Sequence, residues 1–323
     1  WIGPAFTEAV TSKLIYVKSL KVVERIRLKE IIAEQKLQAS GAIDPNTAVK
    51  IGRFLDIDFI IVGSYRKLKE ELSVTAKIIN IKTSKEENSV EVRGTFNGLF
   101  NLQDEIIFKI AQAINTPVLK SEKAKIEESR IKNLAVYEWY TKGADYYDKN
   151  EYDKSMEYYK KALNVIEKEK NEKIKDDAML KLAAEVYAAI GNIYRFKKNY
   201  KKATEYCEKG LDVIEKLAGD SREKSILYAG IADIYRDSNK INEAIRYYNK
   251  SLEIIEADRK SRDENLTALI LYNMAVLYGE QNEYKIALYF ANKSLDIYQK
   301  TGDDKNILDA KTLVKQLQDE LGK

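Results

Sequence analysis

Two hydrophobic rhythms divide this 323-residue chain. Between residues 58 and 97 apolar positions alternate or run in short blocks, the spacing of strands. "DFIIVGSYRKL" is apolar at its centre, as a buried strand is. In "ELSVTAKIINIKT", Leu72, Val74, Ala76 and Ile78 point one way, and Glu71, Ser73, Thr75 and Lys77 the other. "NSVEVRGTFN" alternates again, so the three segments predict an antiparallel meander. Around them the spacing becomes helical. It predicts an amphipathic helix over 7–19, a short strand "LKVVE", and a second helix over 25–37 closed by Gly41. A third helix follows, capped by Asp44 with Pro45 at its first position. A last one over 102–115 stops before Pro117.

From residue 133 onward the rhythm is helical throughout, and it repeats. A small residue recurs near the middle of four first helices: Gly143, Gly191, Ala232 and Ala275. Three residues on stands a tyrosine each time: Tyr146, Tyr194, Tyr235 and Tyr278. Further small residues follow at Ser155, Ala203, Ala244 and Ala287, and at Ala162, Gly210, Ser251 and Ser294. Leu163, Leu211, Leu252 and Leu295 come next. Small residues let helix backbones cross closely, and the tyrosines are expected to fill the gap between neighbouring pairs. Asn150, Asn239 and Asn282 hold one turn position, with Asn199 displaced by one. Asparagine tolerates the left-handed conformation that ends a helix.

The pattern resembles the tetratricopeptide (TPR) repeat, W-x2-L-G-x2-Y…A-x3-F…P. The first unit has Trp139, Gly143 and Tyr146. The closing proline is absent from every unit, and Lys142 stands where Ile190, Ile231 and Met274 keep an apolar residue. The repeat intervals, from 143 to 191 to 232 to 275, are 48, 41 and 43 residues, against about 34 for the common form. Longer helices account for the difference. The resemblance covers about 133–299, and "KNILDAKTLVKQLQDELGK" is expected to cap the array. It implies an all-α solenoid whose first helices line a groove that binds a segment of another protein.

By position, the groove residues are Tyr140, Ala144 and Tyr147 in the first unit. Asn192, Arg195 and Phe196 follow in the second, then Asp233 and Arg236 in the third. Tyr272, Val276 and Gly279 come from the fourth. Arg195 and Arg236 stand at matching positions and admit two roles. They form a carboxylate or phosphate clamp with Asn192, or each pairs with a nearby acid on the next helix. Asp233 and Asp237 are close enough in sequence to neutralise Arg236. Tyr146, Tyr194, Tyr235 and Tyr278 are packing residues, whereas Tyr140, Tyr147 and Tyr272 offer contact area to a partner. Cys207 occupies a helix-packing position and is expected to be a buried small hydrophobe.

Composition narrows the chemistry. The net charge is +4 with no histidine, and basic and acidic residues interleave, so no nucleic-acid partner is expected. Lack of histidine removes Ser-His and Cys-His pairs and histidine metal ligands. One cysteine makes neither an internal disulfide nor a multi-cysteine zinc site. There is no Gly-rich phosphate loop and no run long enough to span a membrane as a helix. No catalytic residue, metal or cofactor is expected. Tyrosine is nearly confined to the second part, and all three prolines, Pro4, Pro45 and Pro117, lie in the first. These shifts set the expected domains at 1–118, a charged linker or helix at 119–132, and the array at 133–323.

The first part is expected to be an α/β or α+β domain with a mixed sheet. Its "VVER" strand, "L…II.EQ.L..SG" and "D..TA.KIG" helices and "D.IIVGS" strand resemble the domain shared by the curli-secretion lipoprotein CsgG and the amino-terminal domain of TolB. The resemblance covers about 2–115 and implies a bacterial cell-envelope protein. The family's apolar strand of the type "VAVLDF" is missing ahead of the first helix, and the chain opens on Trp1. A missing upstream segment is therefore expected, with a lipid anchor as one option for it, and the open sheet edge implies self-association through this domain or its increased mobility. The pore-forming hairpins have no room, so no secretion channel is implied. Glu24 and Arg25 are either functional or a helix start with a favourable charge. Asp56 and Asp58 suggest metal, or a solvated loop. The leading expectation is a non-enzymatic scaffold or adaptor of the periplasm or envelope. The alternative is a cytoplasmic regulatory adaptor whose α/β domain binds a small ligand.

Overall fold

The computed structural model describes residues 2–20, 22, 52, 57–83, 85–129, 133–170, 177–215, 222–257, 263–301 and 304–322. The helices expected over 25–37 and after Asp44 lie outside these residues, as do Glu24, Arg25, Asp56 and most of "LKVVE", with the mixed sheet it implied. Packing divides the chain into two compact units, Trp1–Asn150 and Glu151–Lys323.

The first unit begins with α1 (Ile2–Leu14), earlier than its apolar stripe suggested. Ile2, Ala5, Phe6, Ala9, Lys13 and Leu14 are its buried residues, spaced three or four apart as one helix face requires. Pro4 falls in the first turn, where its missing N–H costs no helical bond. The sheet is β1 (Phe59–Leu68), β2 (Glu71–Asn80) and β3 (Lys85–Thr95), antiparallel in the order β1-β2-β3. Its register pairs Ile61 with Ile78 and Val74 with Val92. Leu72, Val74, Ala76 and Ile78 are buried, as their alternation predicts. They pack on Ile2 and Phe6 of α1 and on Leu99, Leu102, Ile106 and Ile110 of α2 (Leu99–Ala113). Each Val, Leu or Ile side chain among them contributes roughly 1.5–3 kcal/mol when fully buried. Asn115, at φ 54°, turns the chain out of α2 before Pro117.

Next comes α3 (Lys120–Glu128), where Glu122 accepts hydrogen bonds from the Leu119 and Lys18 backbone N–H groups. The Leu119 bond, then the Lys18 bond, holds the Glu122 carboxyl below its usual pKa. The unit closes with α4 (Leu134–Asp148), capped by Asn133, whose Oδ1 accepts from Ala135 and Val136 N–H. Tyr137 of α4 is buried, and its hydroxyl donates to Ala5 O at 2.8 Å while Gln103 Nε2 donates to it at 3.2 Å. Lys13 and Asp104 form a buried ion pair at 2.6 Å nearby. Such a pair stabilises little in itself, but removal of one partner strands the other charge.

The second unit is all helical: α5 (Tyr152–Lys170), α6 (Asp177–Phe196), α7 (Tyr200–Ile214), α8 (Arg222–Asp237), α9 (Ile241–Ala257), α10 (Glu264–Glu280), α11 (Tyr284–Thr301) and α12 (Asp304–Leu321). Helices α6 and α7, α8 and α9, and α10 and α11 pack as hairpins, and α12 packs on α10 and α11. The small columns lie at these crossings: Ala203, Ala232, Ala244, Ala275 and Ala287 are fully buried. A β-carbon on Gly191 would lie 2.6 Å from Cys207 Sγ. Serine substitutes where a carbonyl is in reach: Ser251 donates to Ser225 O and Ser294 to Ala268 O, both at 2.8 Å.

Two expectations are refined. The tyrosines do not simply fill gaps between neighbouring pairs. Tyr194 stacks on Tyr206, Tyr235 on Tyr247 and Tyr278 on Phe290, each on the second helix of its own hairpin. The turn asparagines behave as read, with Asn150, Asn239 and Asn282 at φ 60°, 58° and 62°. In the displaced case Lys198 takes the left-handed position at φ 56°, and Asn199 instead caps α7 through a bond from Lys202 N–H.

Candidate partner-binding site

Asn192, Arg195 and Phe196 lie three and four residues apart on α6, so they share one face. Asp233, Arg236 and Asp237 do the same on α8. Arg195 Nη1 meets Asp237 Oδ2 across the two helices at 2.6 Å, and its Nε donates to Asn192 Oδ1 at 3.3 Å. Its guanidinium stands 4.7 Å from the ring centroid of Phe196, which is 47% exposed and stacks on Tyr152. Arg236 pairs with Asp233 at 3.1 Å and with Asp237 at 3.2 Å. Both arginines are therefore matched by carboxylates of α8, Arg195 across to the neighbouring helix and Arg236 within its own. Arg195 has a side-chain exposure of only 13% and Arg236 of 27%. Part-buried and networked, these pairs are worth more than isolated surface pairs.

Tyr248, from α9, completes the network from below. Its hydroxyl donates to Asp233 Oδ1 and lies 3.3 Å from Arg236 Nη1. Asn273 of α10 reaches Asp233 Oδ1 at 3.5 Å. Burial, reinforced by the Asp233 charge, raises the Tyr248 pKa well above its usual value. Burial works against the charged Arg236, but Asp233 and Asp237 outweigh it and hold its pKa up. The repeat pattern marks neither Tyr248 nor Asn273. Asp237 was legible only as a neighbour of Arg236, not as the partner of Arg195.

Tyr140, Tyr147 and Tyr272, also expected in the groove, are all partly buried. Tyr140 packs against the core of the first unit, and Tyr147 is half-buried in that same unit. Tyr272 packs with Ala268, Tyr298, Ile307 and Ala310, and burial raises its pKa. A β-carbon on Gly279 would lie 3.2 Å from Leu317 of α12. Cys207 is buried, and desolvation pushes its thiol up to about 12, the state of an inert packing group. Asp58 pairs with the exposed Lys82. Among the described residues no group of three or more acidic or cysteine side chains could hold a metal ion, and no helix is long and apolar enough to cross a membrane. A cleft of about 500 Å³ opens between α5, α6 and α7, lined by Glu167, Tyr187, Tyr206, Lys209 and Asp212 among others. Within it Tyr187 donates to Glu167, and Lys209 pairs with Glu205 at its edge on the same helix.

Family models settle the architecture. Tetratricopeptide-repeat models match residues 139–169, 182–257 and 267–301. The model of the curli production assembly/transport component CsgG matches residues 2–92. The chain carries a CsgG-like domain followed by tetratricopeptide repeats. Tetratricopeptide repeats indicate protein partners, and the array fits an interaction adaptor. The CsgG-like domain suggests an envelope-related protein. No curated protein matches. Among solved structures, the apo form of RapI is 18% identical, with a TM-score of 0.49 over 70% of this chain and 60% of that one. Aspartyl phosphate phosphatase F from Bacillus subtilis is 16% identical, with a TM-score of 0.48 over 69% of this chain and 57% of that one. BtubC from P. vanneervenii is 15% identical, with a TM-score of 0.44 over 71% and 92%. This chain spans less than two thirds of the length of the first two, and likeness at this level assigns no function.

Proposed function

We propose that this chain is a non-enzymatic adaptor of the bacterial cell envelope that holds a segment of a partner protein against the first helices of its array. The CsgG-like domain supports the envelope, and the same proposal takes in the likeness to the TolB amino-terminal domain, a periplasmic or lipid-anchored location, and self-association through the α/β domain. The repeats support the adaptor role. The observation that carries the binding site is the face of α6 and α8. There the network fixes Asn192 by its carbonyl oxygen alone, and its amide Nδ2 makes no hydrogen bond among the described residues. Phe196 stands exposed one turn away. An amide donor beside an exposed ring suits an extended segment, which presents backbone carbonyls and alternate side chains. Arg195 and Arg236, already neutralised, act here as positioning residues. The proposal rests on these second-unit residues and not on Tyr140 or Tyr147.

The test is a pull-down from source-cell extract with the full chain and its Asn192→Ala/Phe196→Ala variant as paired baits, alongside envelope fractionation of the native protein. The parent is expected to retain partners the variant loses, with circular dichroism unchanged. Equal recovery by both baits refutes the site, and a protein found wholly in the soluble cytoplasmic fraction refutes the location.

A further inference from the structure

The array holds a second surface, on the second helices rather than the first. At the position six residues after the small residue of each second helix stands a lysine: Lys161, Lys209, Lys250 and Lys293. On α5 and α7 that lysine pairs with a glutamate one turn back, Glu157 at 2.7 Å and Glu205 at 3.1 Å. On α9 and α11 the glutamate is replaced, by Arg246 and Tyr289. The position just before the lysine changes in the same sense, from Glu208 on α7 to Asn249 and Asn292. Arg246, Lys250, Lys285 and Lys293 are all exposed, and none has a carboxylate partner among the described residues. Three of them, Arg246, Lys250 and Lys293, have aromatic contacts instead. Arg246 and Lys250 stand 5.1 and 5.0 Å from the Tyr247 ring centroid, and Lys293 stands 4.5 Å from that of Tyr289. Between the α11 lysines, Ile286 is 42% exposed and Tyr289 54%.

We propose that the N-terminal halves of α9 and α11 form a docking surface for an acidic segment of a partner protein that carries aliphatic side chains. Charge complementarity chooses the occupant. The arginines of the first-helix face are already matched by Asp233 and Asp237, whereas Arg246, Lys250, Lys285 and Lys293 are not matched among the described residues. Lys285 and Lys293 flank an apolar pair on α11, and Arg246 and Lys250 hold the face of α9 that matches it in the repeat, an arrangement that steers an acidic chain and then holds it by contact. Cations lying on tyrosine rings are oriented without being neutralised. Glu243 on α9 remains within the surface, which suits a protein segment of spaced carboxylates better than a continuous polyanion.

The experiment titrates the full-length chain into a short fluorescent peptide of glutamates and leucines, with its glutamine-for-glutamate analogue, a single-stranded RNA and anionic-lipid vesicles as parallel probes. The parent is expected to bind the acidic peptide and not its analogue, with the affinity falling as salt screens the exposed charges. Arg246→Glu/Lys250→Glu and Lys285→Glu/Lys293→Glu should each weaken it by about tenfold, since reversal removes two exposed pairs and adds two repulsions. Ile286→Ala/Tyr289→Ala should weaken it with an unchanged salt slope. Arg195→Ala/Arg236→Ala should leave it intact. No binding by the parent, undiminished binding by the reversed variants, or loss only in the Arg195/Arg236 variant overturns the proposal. Tighter binding of RNA or vesicles, lost in the same reversed variants, overturns the assignment of a protein partner.

Discussion

Replacement of Gly191 by alanine tests the helix-crossing argument at its tightest point. The added β-carbon would lie 2.6 Å from Cys207 Sγ and 3.2 Å from Ala203 O, well inside the ~3.5–4 Å of ordinary contact. The Ala203 oxygen is backbone and yields little, so the sulfur must move, and Cys207 is itself fully enclosed. Overpacking of this kind costs about 1–3 kcal/mol. Alanine offsets part of it, since it is about 1 kcal/mol better than glycine inside a helix. The expected net loss is about 0–2 kcal/mol. Cys207→Ala alone removes the sulfur and leaves a small void, a loss on the order of 1 kcal/mol. In the double variant the new methyl occupies the space the sulfur vacates. Gly191→Ala should then be stabilising in the Cys207→Ala background although destabilising in the parent, a coupling of roughly 1–3 kcal/mol. Urea midpoints followed by circular dichroism measure all four corners of the cycle, with m values compared to check that the transition is unchanged. If the two effects add to within about 0.5 kcal/mol, the independence limit, the crossing is not closely packed and the repeat alignment built on it is wrong.

Tyr248→Phe removes the hydroxyl that donates to Asp233 and meets Arg236. A hydrogen bond to a charged group contributes about 1.5–3 kcal/mol, so a clearly lower melting temperature is expected, and a melt matching the parent would show that the network does not depend on Tyr248. Alkaline pH gives an independent check. The Cys207 thiol titrates near 9.0 ordinarily and at about 12 in the fold, so the folded state holds its proton longer. That contribution to stability is complete below the ordinary value and disappears as pH rises toward the folded one. Tyr137, Tyr187 and Tyr248, whose pKa values are likewise raised by burial, deepen the loss at the upper end. Urea midpoints should fall steadily above about pH 9, less steeply for Cys207→Ala than for the parent, and identical slopes would remove Cys207 from the account.

The repeat array was legible because its constraints are local and periodic. Small residues at a fixed spacing mark crossings wherever they occur, and Ala203, Ala244 and Ala287 are fully buried as that rule demands. The alternation of Leu72, Val74, Ala76 and Ile78 was equally safe, since a strand has only two faces. Contacts between elements distant in sequence were harder. Nothing near Tyr137 reveals that its hydroxyl bonds Ala5 O, a residue 132 positions earlier. Nor does spacing show that Tyr272 packs beside Ile307 and Ala310 of α12. The stacked partners Tyr206, Tyr247 and Phe290 form their own column and could have been found, because each follows its tyrosine by twelve residues. A search for single conspicuous residues passes over such a column.

The two arginines show why a charged column in a repeat protein has to be read with its neighbour. Arg195 and Arg236 match in register, and a matched pair suggests a fork for a shared ligand. However, the same translation that relates them also places the end of α8 beside the end of α6. The position that holds Phe196 in one unit holds Asp237 in the next, and the offset of one unit brings that carboxylate onto Arg195 at 2.6 Å. Asp233 and Asp237 then satisfy Arg236 from its own helix. The arginine and aspartate charges of the first-helix face are left balanced, and the proposed recognition there falls to the Asn192 amide and the Phe196 ring. On the second helices the substitutions run the other way. Glu157 and Glu205 pair the lysine a turn later, and their counterparts Arg246 and Tyr289 do not. Charge available to a partner is thus set by where the repeat departs from itself, and those departures put it on α9 and α11.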